Sequence, residues 1–189
     1  MTRRILVFFS ALGLSLAAIP RPLADIPIQM PNGTKINVKT AYRGKVVLVA
    51  LISTTCKDCL DMVTMMGKLQ QTLGPRGFVP IAAAFDDNAK NLVGPWAARY
   101  RPQFAVGYLE RNDAVRFADI PSGMRPFAPI LIFVDRKGQI KFQAYDDDPI
   151  MKQKDKAIPA IIDSLLKNQE GPMSTTQQVG PDGKVIGKQ

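Results

Sequence analysis

From Lys45 to Ser53 the chain reads KVVLVALIS, aliphatic and largely β-branched, with no charge after the first residue. A half-buried strand would alternate polar and apolar residues. This run predicts a strand covered on both faces, in the middle of a sheet. Directly beyond it the period changes. Leu60, Val63, Met66, Leu69 and Leu73 fall at helical spacing, while Asp61, Lys68 and Gln71 lie elsewhere around the same cylinder. That predicts an amphipathic helix, stopped at Gly74-Pro75.

The alternation then repeats. Phe78 to Phe85 reads as a second strand with Pro80 near its start. Asp86, Asp87 and Asn88 offer caps for a helix over 89–100, disturbed at Gly94-Pro95. A short strand over 104–109 and a short helix over 113–118 follow. Pro129 opens a strand over 130–134, and Arg136-Lys137-Gly138 turns the chain into an antiparallel partner over 139–144. A final amphipathic helix spans 149–167. Ahead of all this, Pro31-Asn32-Gly33 marks a hairpin turn between two short extended pieces within 25–38. This order of strands and helices defines an α/β class with a closing hairpin and helix.

The two ends have a different character. Thr2-Arg3-Arg4 precedes Ile5 to Ala18, ILVFFSALGLSLAA, which carries no charge. A basic start followed by a short apolar run predicts a secretory leader. The run falls short of the ~20 residues that a membrane span needs. Ser15-Leu16-Ala17 is a small-x-small cleavage site and Ala24 another, so the leader is assigned to 1–24, the domain to 25–168 and a flexible polar tail to 169–189. No cysteine follows the apolar run, which argues against a lipoprotein anchor. Export predicts a periplasmic or secreted location, with the membrane touched only through an uncleaved leader. In such an oxidising compartment a dithiol needs an outside electron source or acceptor.

Composition then removes whole classes of chemistry. The 189 residues suit one domain. There is no histidine, which excludes serine–histidine and cysteine–histidine catalysis and histidine-ligated metals. The 25 basic and 16 acidic residues leave +9, but the basic residues are scattered and form no nucleic-acid motif. Only two cysteines occur, Cys56 and Cys59, too few for a disulfide framework and at most half of a zinc site. Covalent haem attachment needs histidine after the second cysteine, and Leu60 stands there.

That pair is the candidate chemistry. In Thr54-Thr55-Cys56-Lys57-Asp58-Cys59 the sulfurs stand three residues apart, between a buried strand and an amphipathic helix. On a first helical turn they share one face, close enough to bridge. Cys56 would meet the unpaired amides and the positive end of the helix, which suits a nucleophile. Cys59, one turn further in, would be shielded and would resolve a mixed disulfide. Lys57 and Asp58 pull in opposite directions. A static structural bridge is the bland alternative, although so short a loop gains little from closure.

The segment GKVVLV (44–49), the cysteine motif opening a helix, and APILIFVDRKGQI (128–140) together resemble the thioredoxin-like superfamily, most closely its exported TlpA-like and redoxin branch. The similarity spans roughly 26–167 and implies a central mixed β-sheet flanked by helices, with an N-terminal β-hairpin extension. It further implies Cys56 attacking, Cys59 resolving, a cis-proline at Pro129, and substrate contacts at Thr55, Ala128 and Pro129. The chain departs from the family at three places. Thr55 replaces a tryptophan, Ala50 a buried acid, and Met62 a glutamate.

The resulting reading is a thiol–disulfide oxidoreductase acting on protein thiols and disulfides, with a separate redox partner and neither cofactor nor metal. Two other readings stay open. One is a redoxin-type peroxidase on Cys56, with Thr54, Thr55 and Arg125 placing the peroxide. The other is a non-catalytic binding module with an inert disulfide. The remaining features have plainer explanations. Met62, Met65 and Met66 have core spacing, Asp86-Asp87 and Asp146-Asp147-Asp148 suit capped loops rather than calcium, and Trp96 suits a core or groove.

Overall fold

The computed structural model describes residues 20–167. The expected tail over 169–189 and residues 1–19 of the expected leader lie outside them. In chain order the elements are β1 (Arg21–Pro22), β2 (Ile28–Gln29), β3 (Lys35–Ile36), α1 (Val38–Ala41), β4 (Val46–Ile52) and α2 (Lys57–Leu73). Then come β5 (Phe78–Ala84), α3 (Ala89–Tyr100), β6 (Val106–Tyr108), α4 (Arg111–Ala118), β7 (Ile130–Val134), β8 (Gln139–Ala144) and α5 (Lys154–Lys167). The strands form one mixed sheet in the order β1-β8-β7-β4-β5-β6-β2-β3.

β4 sits in the middle, parallel to β5 and antiparallel to β7, and all seven of its residues are buried. Its two faces serve two cores. Val46, Leu48, Ala50 and Ile52 pack with Met62, Val63 and Met66 of α2, Val93 and Trp96 of α3, and Ile158 and Ile162 of α5. Val47, Val49 and Leu51 pack with Val38, Leu23, and Ala114 and Phe117 of α4. The unbroken apolar run is thus explained by helices on both sides. Met62 and Met66 belong to this packing and are fully buried.

The N-terminal hairpin forms as its turn residues dictate. Gly33 takes φ +83, and β2 pairs antiparallel with β3 and, through Gln29, with Tyr108 of β6. Proline sits inside β5 without harm, because β6 covers only Ala82 to Ala84 and one edge is free at Pro80.

The helix α2 stops at Gly74-Pro75 as expected, with Gly74 as its C-cap; a 3-10 turn over Gly74–Arg76 follows, and Gly77 at φ +99 makes the exit. Other local expectations are corrected. Gly94-Pro95 does not interrupt α3, which is held on both sides of the proline by buried Val93 and Trp96. The last helix begins at Lys154, after a 3-10 turn over Pro149–Gln153 whose first amides are capped by Asp148. β1 and α1 were not foreseen, being too short to show any period.

Candidate functional site

The buried strand β4 delivers the chain to Ser53, and α2 opens four residues later. Cys56 is the N-cap of α2, with extended backbone (φ −86°, ψ 121°). Its sulfur takes the place usually filled by a serine or aspartate oxygen, accepting the Cys59 N–H at 3.1 Å. On its other side Cys56 Sγ donates to the Ala128 carbonyl oxygen at 3.7 Å. The sulfur is therefore half-buried between a helix N-terminus and a loop carbonyl, where a donor is already aimed at charge developing on it.

Cys59 is fully buried in the core shared by α2 and β4. Burial pushes its thiol far above the usual range, and the hydrogen bond it shares with the Cys56 side chain acts in the same direction. Both cysteines are free thiols in this structure. The pair is asymmetric as a result: one sulfur is reachable and receives the Cys59 amide, the other is enclosed and reluctant to ionise.

This asymmetry predicts how the reduced protein responds to alkali. An unfolded chain releases the Cys59 proton near pH 8.5, whereas the folded chain keeps it. Above that pH the unfolded state binds fewer protons, so stability falls by up to about 1.4 kcal/mol per pH unit; below it the contribution is fully present. Urea unfolding at pH 8.5 and pH 10 should cost the reduced wild type about 2 kcal/mol more than it costs Cys59→Ala. Equal losses would show that Cys59 is not held neutral by the fold.

The other anticipated residues fall as follows. Ala128 is half-buried beside Cys56, Pro129 is buried, and the peptide between them is cis. Thr55 is exposed on the turn before Cys56, its hydroxyl sharing a hydrogen bond with Ser53 Oγ at 3.1 Å. The Thr54 N–H is committed to Asp86 at 2.8 Å. Arg125 stands over the Phe127 ring, 5.9 Å from its centroid. It lines a groove of about 180 Å³ together with Ser53, Phe85, Asp86, Arg111 and Ala128. Phe127 and Met124 on the same loop are exposed. Trp96 is buried in the core and packs against Tyr100 at 5.2 Å.

Of the three candidate caps Asp86, Asp87 and Asn88, it is Asn88 that holds the N-cap position of α3, with φ +67°, and the Asp86 carboxylate turns instead to Ser53 and Thr54. A signal did exist. In adjacent parallel strands the residues just past both C-terminal ends meet, and β4 and β5 end in register at Ile52 and Ala84.

A mixed sheet with a central β4, a dithiol opening the helix after it and a proline-bearing loop facing the sulfurs define a thioredoxin-like fold. Solved structures agree. A thiol:disulfide interchange protein of the thioredoxin family from Chlorobium tepidum TLS matches with a TM-score of 0.63 at 19% identity, over 79% of this chain and 98% of that one. A thiol:disulfide interchange protein from a Bacteroides species matches at 0.60 and 16%, over 81% and 93%. A secreted Mycobacterium tuberculosis disulfide oxidoreductase, homologous to E. coli DsbE, matches at 0.54 and 10%, over 72% and 96%. No protein-family model and no curated protein sequence matches the chain.

Proposed function

We propose that this protein is a thiol–disulfide oxidoreductase that exchanges disulfides with other proteins. The observation that carries the reading is the position of Cys56 Sγ: half-buried at the start of α2, accepting the Cys59 N–H, with Cys59 enclosed behind it. In the reducing direction, the Cys56 thiolate attacks one sulfur of a substrate disulfide. A Cys56–substrate disulfide forms and one substrate thiolate leaves. Cys59 then gives up its proton and attacks the Cys56 sulfur, releasing the second substrate thiolate and leaving a Cys56–Cys59 disulfide. Two electrons pass to the substrate, and the same steps reversed oxidise a dithiol. In this reading the Ala128 carbonyl, which lies 3.7 Å from Cys56 Sγ, meets the backbone of a substrate strand, and Thr55 and Pro129 supply further substrate contacts. The discriminating experiment compares Cys56→Ser with Cys59→Ser against a disulfide-bonded protein, and asks in the same samples whether wild type consumes peroxide. Exchange that needs both cysteines, without peroxide turnover, supports the reading.

The protein is further proposed to act outside the cytoplasm after losing its leader. Among the described residues no helix is long and apolar enough to cross a membrane. Arg21–Pro22 pairs with β8, Leu23 is buried, and Arg21 reaches the Ala118 carbonyl at 2.8 Å and Gln143 Oε1 at 2.9 Å. A cut after Ala24 would strip these contacts, so they favour the cut after Ala17. N-terminal sequencing of protein exported from a bacterial host should begin at Ala18. A start at Asp25 would overturn this assignment, and an intact Met1 on cytosolic protein would overturn export itself.

A further inference from the structure

Among the described residues no polar or charged residue is buried in the core. Ala50 of β4 occupies the core on the same side as Cys59, and β7 there is wholly apolar. One carboxylate nevertheless reaches the turn that leads into Cys56. The parallel register of β4 and β5, continued by the Phe85 N–H donating to the Ile52 carbonyl at 3.1 Å, brings Asp86 level with Ser53 and Thr54. Its Oδ1 accepts from Ser53 Oγ at 2.5 Å and its Oδ2 accepts the Thr54 N–H at 2.8 Å. Ser53 then passes the constraint along. Its Oγ accepts the Thr55 N–H at 3.3 Å, and its carbonyl accepts the Cys56 N–H at 3.3 Å. Both carboxylate oxygens are thus spent on the turn. Asp87, the next residue, differs: its side chain is 91% exposed and pairs with Arg111.

We propose that Asp86 is a positioning residue for the dithiol: it ties the Ser53–Thr55 turn to the end of β5, which sets where Cys56 Sγ stands, and it places a fixed negative charge behind that turn. The proposal rests on the oxidoreductase reading for its biological meaning, but not for its measurement. A carboxylate held by two hydrogen bonds cannot swing away, so its field acts on Cys59 continuously. The other charged groups nearby are Lys57 and Asp58 on the first turn of α2, with Arg111 of α4 and Arg125 lining the groove beside Ala128. α3 contributes Ala89, Val93 and Trp96 to the core that encloses Cys59. The Asp86 charge also pushes the Cys59 thiol upward, adding to the effect of its burial.

Removing the charge should favour thiolates, stabilise the reduced form and make the protein a stronger oxidant. The test uses the full chain with Asp86→Asn, Asp86→Ala and Ser53→Ala, and Asp87→Asn as the charge-matched control. The readouts are the pH profile of iodoacetamide alkylation, the equilibrium with glutathione, and thermal melting. Asp86→Asn keeps one acceptor for Ser53 but no charge. Its alkylation profile should move about one pH unit lower, and its equilibrium should shift about tenfold toward the dithiol, equivalent to about 30 mV. Asp87→Asn should move neither by more than about a third of that, since it is exposed and screened. Ser53→Ala removes the Oγ bonds to Asp86, to the Thr55 N–H and to the Thr55 hydroxyl but no charge, so the alkylation rate should change while the profile midpoint stays.

Two results would overturn the proposal: Asp86 variants with the wild-type profile and potential, or Asp87→Asn shifting them as far as Asp86→Asn. If Asp86→Asn fails to fold, the Ser53→Ala midpoint decides, since a midpoint shift there would contradict the role of the charge. None of these readouts needs a protein substrate. A wild type that exchanges with no protein, alongside the Asp86 shift, would sink the functional reading and leave the positioning role standing.

Discussion

Cys59→Ser should convert this protein into a trap. Incubated with a disulfide-bonded protein, the variant should accumulate as a mixed disulfide through Cys56 and fail to release it, because no second thiol remains to attack. Cys56→Ser should show exchange at the uncatalysed background and trap nothing. The geometry makes the pair a clean comparison. The hydrogen bond received by Cys56 Sγ comes from the Cys59 backbone, so serine at 59 leaves it in place. Serine at 56 supplies an oxygen that caps α2 equally well. Both variants should therefore fold, and the difference between them reports chemistry. Non-reducing electrophoresis and mass spectrometry of the adducts give the readout. Trapping by Cys56→Ser in place of Cys59→Ser would reverse the roles assigned here.

The second large effect lies far from the sulfurs, at Gly107 in the middle of β6. A Cβ there would stand 2.3 Å from the Gln29 backbone oxygen, 2.3 Å from Met30 Cε and 2.7 Å from Ile28 Cγ2. Met30 can shift, but the Gln29 oxygen belongs to the strand that pairs with β6. Gly107→Ala must therefore push the β2–β3 hairpin off the sheet edge. Overpacking of this kind costs about 3 kcal/mol, which for a domain of this size lowers Tm by about 6–12 °C. Gly67→Ala is the matched control. It lies inside helix α2, and its Cβ would meet only the Gln103 side chain, at 3.9 Å from Cβ and 4.0 Å from Cγ. It should be neutral or stabilising by up to about 1 kcal/mol. A Gly107→Ala protein melting with wild type would show that the hairpin is not seated as described.

Neither effect carries the same kind of information. The roles proposed for the cysteines rest on an i, i+3 spacing at a strand-to-helix junction, which a single chain displays openly. The glycine's importance arises between β6 and β2, segments nearly eighty residues apart, and no local pattern announces it. Asp86 belongs to the second kind. Read along the chain, an acid two residues before Asn88 is a helix cap. Only the register of β4 against β5 turns it toward Ser53.

What the sequence determined by itself is whatever rests on neighbouring residues. The buried central strand, the amphipathic helix after it, the dithiol at their junction and the hairpin over Pro31-Asn32-Gly33 all follow from side-chain period and turn chemistry, which act within a few residues. The absence of histidine and of further cysteines excluded histidine-dependent catalysis and a disulfide framework just as directly. Tertiary structure alone decided the rest. Packing around Val93 and Trp96 kept α3 continuous through Pro95. Pairing with β8 recruited Arg21–Pro22, a segment with no strand pattern of its own. The loop before β7 brought the Ala128 carbonyl, 72 residues from Cys56 in sequence, to within 3.7 Å of its sulfur. Such contacts join segments that no local preference links, and burial of the two cores is what holds them in place.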